Sequence, residues 1–108
     1  MSFLEEKMAT VDEYVRMAKT AEADNAHVGT LFYYRGALEV ANYGAETAPV
    51  LLEAVKYAQR LKKEKDKLAI AMWGTEALRK IQNTNLAEMI NQEIAKLQAT
   101  GDKNAATP

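Results

Sequence analysis

The sequence predicts an all-α fold of antiparallel helical hairpins, with four long helices and a short C-terminal helix. Residue types that favour helices dominate a chain that has only two prolines and five glycines. Apolar residues also recur at intervals of three and four, as in amphipathic helices. The third observation is a repeat, because residues 12–43 and 52–83 follow one pattern forty positions apart. A period of this size is typical of stacked hairpins, since each hairpin buries its apolar face on the next.

The repeat consists of identical and similar residues at matching positions. The identical ones are Glu13, Val15, Ala18, Ala37 and Leu38, which recur as Glu53, Val55, Ala58, Ala77 and Leu78. The similar ones include Arg16 with Lys56 and Tyr33 with Trp73. We therefore expect the first hairpin to correspond to the second, with Tyr33 and Trp73 packing inside their hairpins and Tyr34 at the surface.

Composition limits the classes to which the chain can belong. Its 108 residues suffice for one domain, and 48% apolar with 27% charged residues is ordinary for a folded protein. The chain has no cysteine, so it forms no disulfide and no thiolate metal site. We expect no signal peptide, because Glu5, Glu6 and Lys7 stand where one would need apolar residues, and no apolar run is long enough to span a membrane. We expect a cytoplasmic protein.

The first predicted hairpin covers residues 3–44. Its first helix runs from 3 to 23, after a capping-box spacing of Ser2 and Glu5. Asp24 and Asn25 interrupt it, and the second helix places Val28, Leu31, Phe32, Leu38 and Ala41 on its apolar side. This helix should end near Gly44, which suits a left-handed C-terminal position.

The second predicted hairpin covers residues 49–83 and begins with Thr47 as a cap and Pro49 in the first turn. The charged run at residues 62–67 has no apolar position, which indicates a turn between two helices. One continuous helix over 49–82 is the competing interpretation, because no glycine or proline breaks the chain there. A last helix at 86–99 completes a single domain at residues 1–100, and we expect residues 101–108 to form a disordered tail.

The segment FYYRGALEV at residues 32–40, followed by Gly44 and Pro49, resembles the tetratricopeptide repeat (TPR) family. In that family an aromatic residue precedes an Ala-Leu pair on the second helix, and a proline begins the next unit. Tyr33 with Ala37 and Leu38 follows this arrangement. Trp73 with Ala77 and Leu78 follows it too. The resemblance implies a TPR-like protein-binding array, although the family's Trp-Leu-Gly signature and its usual turn between paired helices are missing.

Residues 13–41 are also similar to the microtubule-interacting-and-trafficking (MIT) domain, a three-helix relative of the same repeat. This second resemblance implies that a helical peptide binds beside the third helix, here residues 50–65. It leaves the last two predicted helices without a counterpart, so the repeat interpretation accounts for more of the chain.

The sequence contains little that supports catalysis. His27 is the only histidine and Ser2 the only serine, so a hydroxyl–histidine nucleophile has few candidate members. A lone histidine does not make a metal site, which needs at least three ligands, and the glycines do not form a phosphate-binding loop. We therefore expect a protein that is not an enzyme and holds no cofactor.

The distribution of basic residues predicts a binding surface. Lys56, Arg60 and Lys63 fall at i, i+4 and i+7, which places them on one helix face. Arg16 occupies the position that matches Lys56 in the first unit. The full predicted surface comprises Arg16, Lys19, Lys56, Arg60 and Lys63 as cations, with Tyr57 as an aromatic wall.

Such a groove suits an acidic peptide or a C-terminal carboxylate. The alternative is a solvated charged face with no partner, which is common on surface helices. Nucleic acid is a poor partner, because the net charge is −1 and acidic residues interrupt the basic run.

The sequence thus predicts a non-enzymatic protein–protein interaction module, such as an adaptor, a chaperone or a small assembly subunit, that binds a peptide or helix in a groove between helices. The rival of another class is a structural, homo-oligomeric component of a larger assembly such as a virion or secretion machine. In that case apolar faces of the second and last helices would continue across a subunit interface.

Overall fold

The computed structural model describes the backbone of residues 3–82 and 84–106 and the side chains of residues 10–82 and 84–99. Over these ranges the chain is 81% helical, contains no strand and forms a compact all-α fold. The predicted fold class is therefore confirmed. The helices are α1 (Phe3–Ala23), α2 (His27–Val40), α3 (Ala48–Ala58), α4 (Glu64–Lys80) and α5 (Ala87–Ala106), with one 3₁₀ turn at Ala45–Thr47.

An asparagine in the left-handed region lies two residues after the last residue of both α1 and α2. Asn25 has φ 59° and Asn42 has φ 53°. After α1, the Ala26 N–H donates to the Ala21 carbonyl at 2.9 Å. The Asn25 N–H donates to the Glu22 carbonyl at 3.0 Å. This pair of bonds is the Schellman motif, and the same two bonds recur around Asn42. Asparagine suits the position because its short polar side chain tolerates this backbone conformation.

The predicted end of α2 near Gly44 is wrong. The helix ends at Val40, and Gly44 has an extended backbone with φ −64° and ψ 159°. Asn42 and Tyr43 supply the left-handed residues instead, so the chain has already turned before it reaches the glycine. Thr47 precedes α3 without capping it, because its hydroxyl donates to the Gly44 carbonyl at 2.7 Å, while Pro49 does lie in the first turn of α3.

The segment 49–82 forms two helices, so the continuous-helix interpretation is wrong. The α3 helix ends at Ala58, and the next three N–H groups bond to carbonyls three residues back, which tightens the last turn. Lys63 then adopts an extended conformation before α4. The break lets Leu61 turn into the core, where it is buried, while the charged side chains that follow it remain at the surface.

The α5 helix is longer than predicted. It continues from Ala87 to Ala106, whereas the sequence indicated an end at residue 99 and disorder over 101–108. Residues 101–106 are helical, and only 107–108 of the expected tail lie outside the described residues. A single glycine at position 101 costs a helix only about 1 kcal/mol and does not force its end.

One core contains buried residues from all five helices, and α3 lies at its centre. Leu51, Ala54, Val55 and Ala58 of α3 are completely buried, and the helix packs against α2, α4 and α5. A smaller cluster around Val11 joins α1 to α2. No helix in the described ranges has both the length and the apolar character needed to cross a membrane.

Burial repeats at the forty-residue interval of the sequence pattern. The exposed positions 28 and 32 match exposed positions 68 and 72. The matching buried pairs are Val11 with Leu51, Ala18 with Ala58, Ala21 with Leu61, Thr30 with Ile70, Tyr34 with Gly74, Ala37 with Ala77 and Ala41 with Ile81. The helix lengths do not match, since α1 has 21 residues and α3 has 11. A repeat of antiparallel hairpins therefore stays a prediction.

Tyr33 and Trp73 are both half-buried but have different neighbours. The Tyr33 ring lies 6.5 Å from the Tyr14 ring and 5.5 Å from the Phe32 ring, measured between centroids. The Trp73 ring instead carries the Arg35 guanidinium 5.4 Å from its centroid. The first contact lies within the α1/α2 pair, whereas the second joins α2 to α4.

The central position of α3 makes Leu51 a sensitive site. Replacing Leu51, which is completely buried, by alanine should lower the free energy of unfolding by about 2–5 kcal/mol, because a cavity remains. Leu68→Ala is the matched control on α4, where the leucine is partly exposed, and should cost less than about 1 kcal/mol. Urea denaturation monitored by circular dichroism measures both, and equal losses would contradict the central role of α3.

Gly36 allows close contact between α1 and α2. A Cβ added there would lie 2.6 Å from Tyr14 Cε1, so Gly36→Ala should lower the free energy of unfolding by about 1–2 kcal/mol. At Gly29 an added Cβ meets only ordinary contacts, the nearest at 3.7 Å, and Gly29→Ala should raise stability by about 0.5–1 kcal/mol. Thermal melts of the two variants should therefore shift in opposite directions.

Candidate functional site

A polar cavity lies where the end of α1 and the turn into α2 face the end of α3. Its volume is about 700 Å³. Basic and hydrogen-bonding side chains make up most of the lining, which comprises Lys19, Glu22, Ala23, Asn25, His27, Tyr57, Arg60 and Lys62. We refer to this space as the α1/α3 cavity.

The structure brings together three of the six residues that the sequence predicted for the binding surface. Lys19, Tyr57 and Arg60 line the α1/α3 cavity. Arg16 lines a separate cavity of about 550 Å³ on the side of α1 where Tyr33 lies. Lys19 lies about one helical turn after Arg16 on α1. Among the described residues, only Lys19 of these two contacts α3 through an ion pair, which it forms with Glu53.

The other two predicted residues, Lys56 and Lys63, do not line the α1/α3 cavity. Lys63 follows the break after Ala58, so its spacing from Lys56 no longer describes one helix face. Lys62 lines the cavity in place of the predicted Lys63. No local pattern predicts this exchange, because it depends on the residue at which α3 ends.

Two ion pairs connect α1 to α3 and its C-terminal turn. Lys19 Nζ lies 3.3 Å from Glu53 Oε1, and Arg60 donates a hydrogen bond to Glu22 Oε1. The Lys19–Glu53 pair and the Arg60 side chain are well exposed, and exposed pairs of this kind stabilise a fold by about 0–1 kcal/mol. Lys62 forms no ion pair within the described part of the chain. The cavity therefore contains cations that are bound weakly or not at all.

Tyr57 forms the floor of the cavity rather than an exposed wall. Only 4% of the residue is accessible, because its ring belongs to the core. Its hydroxyl is hydrogen-bonded to His27 Nδ1, and the two rings lie 5.8 Å apart between centroids. His27, the first residue of α2, is therefore engaged by α3 while its ring remains at the surface.

Tyr34 is buried below the same region, which corrects the expectation that it lies at the surface. Burial, followed by the charges of Glu53 and Glu22, raises the pKa of its hydroxyl from 10.0 to about 12. Tyr34 therefore stays neutral at physiological pH. The spacing of Thr30, Tyr34 and Leu38, one helical turn apart, contained the signal for this buried face.

Glu93 is a nearly buried carboxylate that links α5 to α3. The Gln59 side-chain amide donates to its Oε1 at 3.3 Å, and Lys96 Nζ lies 2.6 Å from its Oε2. These contacts lower the pKa of Glu93, with the hydrogen bond from Lys96 as the main cause and the charge of Lys56 as a minor one. The predicted site residue Lys56 therefore acts near α5 rather than in the cavity.

Within the described residues, no group of three or more His, Cys, Asp or Glu side chains is arranged to hold a metal ion. No family model matches the sequence, and comparison with curated proteins and with solved structures finds no match. The geometry of the cavity is therefore the basis for a functional proposal.

The contacts of Glu93 predict how stability depends on acid. Its pKa is lower in the folded state than the ordinary value of 4.5, so the charged form stabilises the fold at neutral pH. This contribution is lost as the pH falls through 4.5 toward the lowered value. Glu93→Gln should therefore show a smaller loss of unfolding free energy between neutral and acidic pH than the wild type. Glu39→Gln, at an exposed position, serves as the control and should behave as the wild type does.

Proposed function

We propose that this chain is a non-enzymatic protein-binding module, acting as an adaptor or as a small subunit of an assembly. Its α1/α3 cavity would receive an acidic segment of a partner protein. The observation that carries the proposal is the charge of the lining, which contains the cations Lys19, Arg60 and Lys62 and one carboxylate, Glu22, while Glu53 pairs with Lys19 from outside the lining. An incoming aspartate, glutamate or C-terminal carboxylate would therefore gain cationic partners.

The size and shape of the cavity support a peptide as the ligand. A volume of about 700 Å³ lies within the usual range of about 300–1,000 Å³ for ligand sites, and it would hold a few residues rather than a whole domain. The floor provides the Tyr57 hydroxyl and the His27 ring, and amphipathic aromatic groups of this kind are enriched in binding interfaces.

The ion pairs at the cavity are exposed, so a carboxylate of a peptide would compete with Glu22 and Glu53 for their cations. The Arg60 side chain is 68% exposed although its guanidinium contacts Glu22. A guanidinium offers five N–H donors and binds carboxylates in a bidentate geometry. A peptide carboxylate would thus bind Arg60 together with Glu22 or in its place, and Lys62 would add a second charge from the same loop.

Binding fits the cavity better than catalysis does. His27 is its only ring base, and its Nδ1 is already hydrogen-bonded to Tyr57. The Tyr57 hydroxyl is engaged in that same hydrogen bond. We therefore propose a protein without enzymatic activity, with a cytoplasmic location as the simplest setting for a cysteine-free chain.

A TPR-like arrangement belongs to the same proposal. What supports it is the agreement of burial at positions forty residues apart, for example at Ala18 with Ala58 and at Ala37 with Ala77. In such an array the first helices of successive hairpins line one side, and the cations of the cavity come from α1 and from the turn that follows α3.

A structural, oligomerising component is the second candidate. The observation that favours it is the exposure of large apolar residues on α2, where Val28 and Phe32 project from the fold. A module that binds peptides needs no such surface, and an oligomer that binds no acidic peptide would favour this second candidate.

Charge reversal in the cavity tests the proposal. Acidic peptides with a free C-terminal carboxylate, and matched amidated and neutral peptides, serve as immobilised probes. The variant with Arg60→Glu and Lys62→Glu should bind the acidic probes at least about tenfold more weakly than the wild type, and binding should weaken with added salt. Lys65→Glu is the control, because this lysine is exposed on α4 but does not line the cavity.

Two results would contradict the proposal. The first is a wild type that binds no acidic probe more tightly than the neutral one. The second is a double variant that keeps wild-type affinity while its circular dichroism remains unchanged. Lys56→Glu provides a further comparison, because the structure places this predicted residue outside the cavity and binding should persist.

A further inference from the structure

The α2 helix exposes two large apolar side chains that the sequence assigned to its core face. Val28 is 86% exposed and Phe32 is 66% exposed. The face of α2 that packs into the protein instead comprises Thr30, Tyr34, Ala37 and Leu38. An apolar surface of this kind on a folded chain often marks an interface, since its exposure to water is unfavourable.

These side chains border a groove between α2 and α4, with a volume of about 320 Å³. The apolar part of its lining comprises Val28, Leu31 and Phe32 from α2, Leu61 from the preceding loop, and Ala69 and Ile70 from α4. We refer to it as the α2/α4 groove. It shares only His27 with the α1/α3 cavity.

One positive and one negative residue also line the groove. These are Arg35 of α2 and Asp66 in the first turn of α4. The Arg35 guanidinium lies over the ring of Trp73, which is seven residues beyond Asp66 on the same helix. Seven residues of helix correspond to about 10 Å, so the two charges lie toward opposite ends of the groove. Neither side chain forms an ion pair within the described ranges.

We propose that the α2/α4 groove is a two-fold interface between two copies of this chain. In the dimer the two Phe32 side chains meet near the axis, and each Asp66 faces the partner's Arg35. In a two-fold interface the same surface of both copies forms the contact, so every pair of contacting residues occurs twice. The surface must therefore be complementary to itself. An apolar centre with opposite charges at its two ends has this property, whereas an acidic or a basic peptide would satisfy only one of the charges.

The area of the groove indicates a dimer of modest affinity. Phe32 exposes about 130 Å² and Val28 adds a comparable amount, whereas a stable interface buries about 800 Å² on each partner. The polar rims of α2 and α4 must supply the remainder. Dissociation constants in the micromolar range are therefore expected.

Sedimentation equilibrium of the full chain, from about 1 µM to about 1 mM, tests the interface. The wild type should shift from monomer to dimer over this range. Phe32→Glu should weaken the dimer at least about tenfold, because it places two carboxylates at the axis. Met89→Glu is the matched control, since this exposed methionine lies on α5, and its dimer should be unchanged.

A charge swap tests the arrangement of the two copies. Arg35→Glu and Asp66→Arg should each weaken the dimer, and the variant that carries both changes should recover it, since the opposite charges face each other again. Circular dichroism of every variant shows that a lost dimer is not an unfolded chain. Arg35→Glu should leave binding of acidic peptides unchanged, so this proposal and the proposed function fail separately.

Three outcomes would overturn the proposal. One is a wild type that stays monomeric over the whole range, which would leave the groove for a different protein. Another is a dimer that tolerates Phe32→Glu. The last is a double charge swap that gives no recovery although both single changes weaken the dimer.

Discussion

Burial of α3 is the constraint on which the rest of the structure depends. This helix has only 11 residues, and Leu51, Val55 and Ala58 are completely enclosed by neighbouring helices. Its exposed stripe is narrow and comprises Pro49, Glu53 and Lys56, and α2, α4 and α5 pack around the rest of the helix. The charged run that follows cannot enter the core, so α3 ends at Ala58 and the chain turns there. That turn carries Arg60 to the α1/α3 cavity.

Electrostatic contacts across the helices arise from the same packing. Glu53 and Glu22 form ion pairs with the cations Lys19 and Arg60 of the cavity. Burial, followed by the charges of these two carboxylates, raises the pKa of the Tyr34 hydroxyl. At the same C-terminal end of α3, contacts from Lys96 and Gln59 lower the pKa of the Glu93 carboxyl. The fold thus contains a peptide-sized polar cavity on one side and a groove with unpaired opposite charges on another.

Several elements were predictable from local chemistry. The bounds of α1, the interruption at Asn25 and the break before α4 follow from helix propensity, turn residues and the lack of apolar positions in a charged run. Prediction failed where two faces of one helix were both plausible. On α2 the larger apolar residues Val28 and Phe32 suggested the core side, but the smaller Ala37 and the long Tyr34 fit the space against α1 and α3.

The sequence by itself determined the all-α class and the bounds of α1, because these depend on residues close together in the chain. Only the tertiary structure decided which cations share a cavity. Lys19, Arg60 and Lys62 come together because the end of α1 faces the end of α3, which stops at Ala58, whereas Arg16 and Lys63 lie elsewhere. The reason is physical: helical spacing fixes neighbours along one helix, but the contacts between helices depend on how their side chains fill a common core.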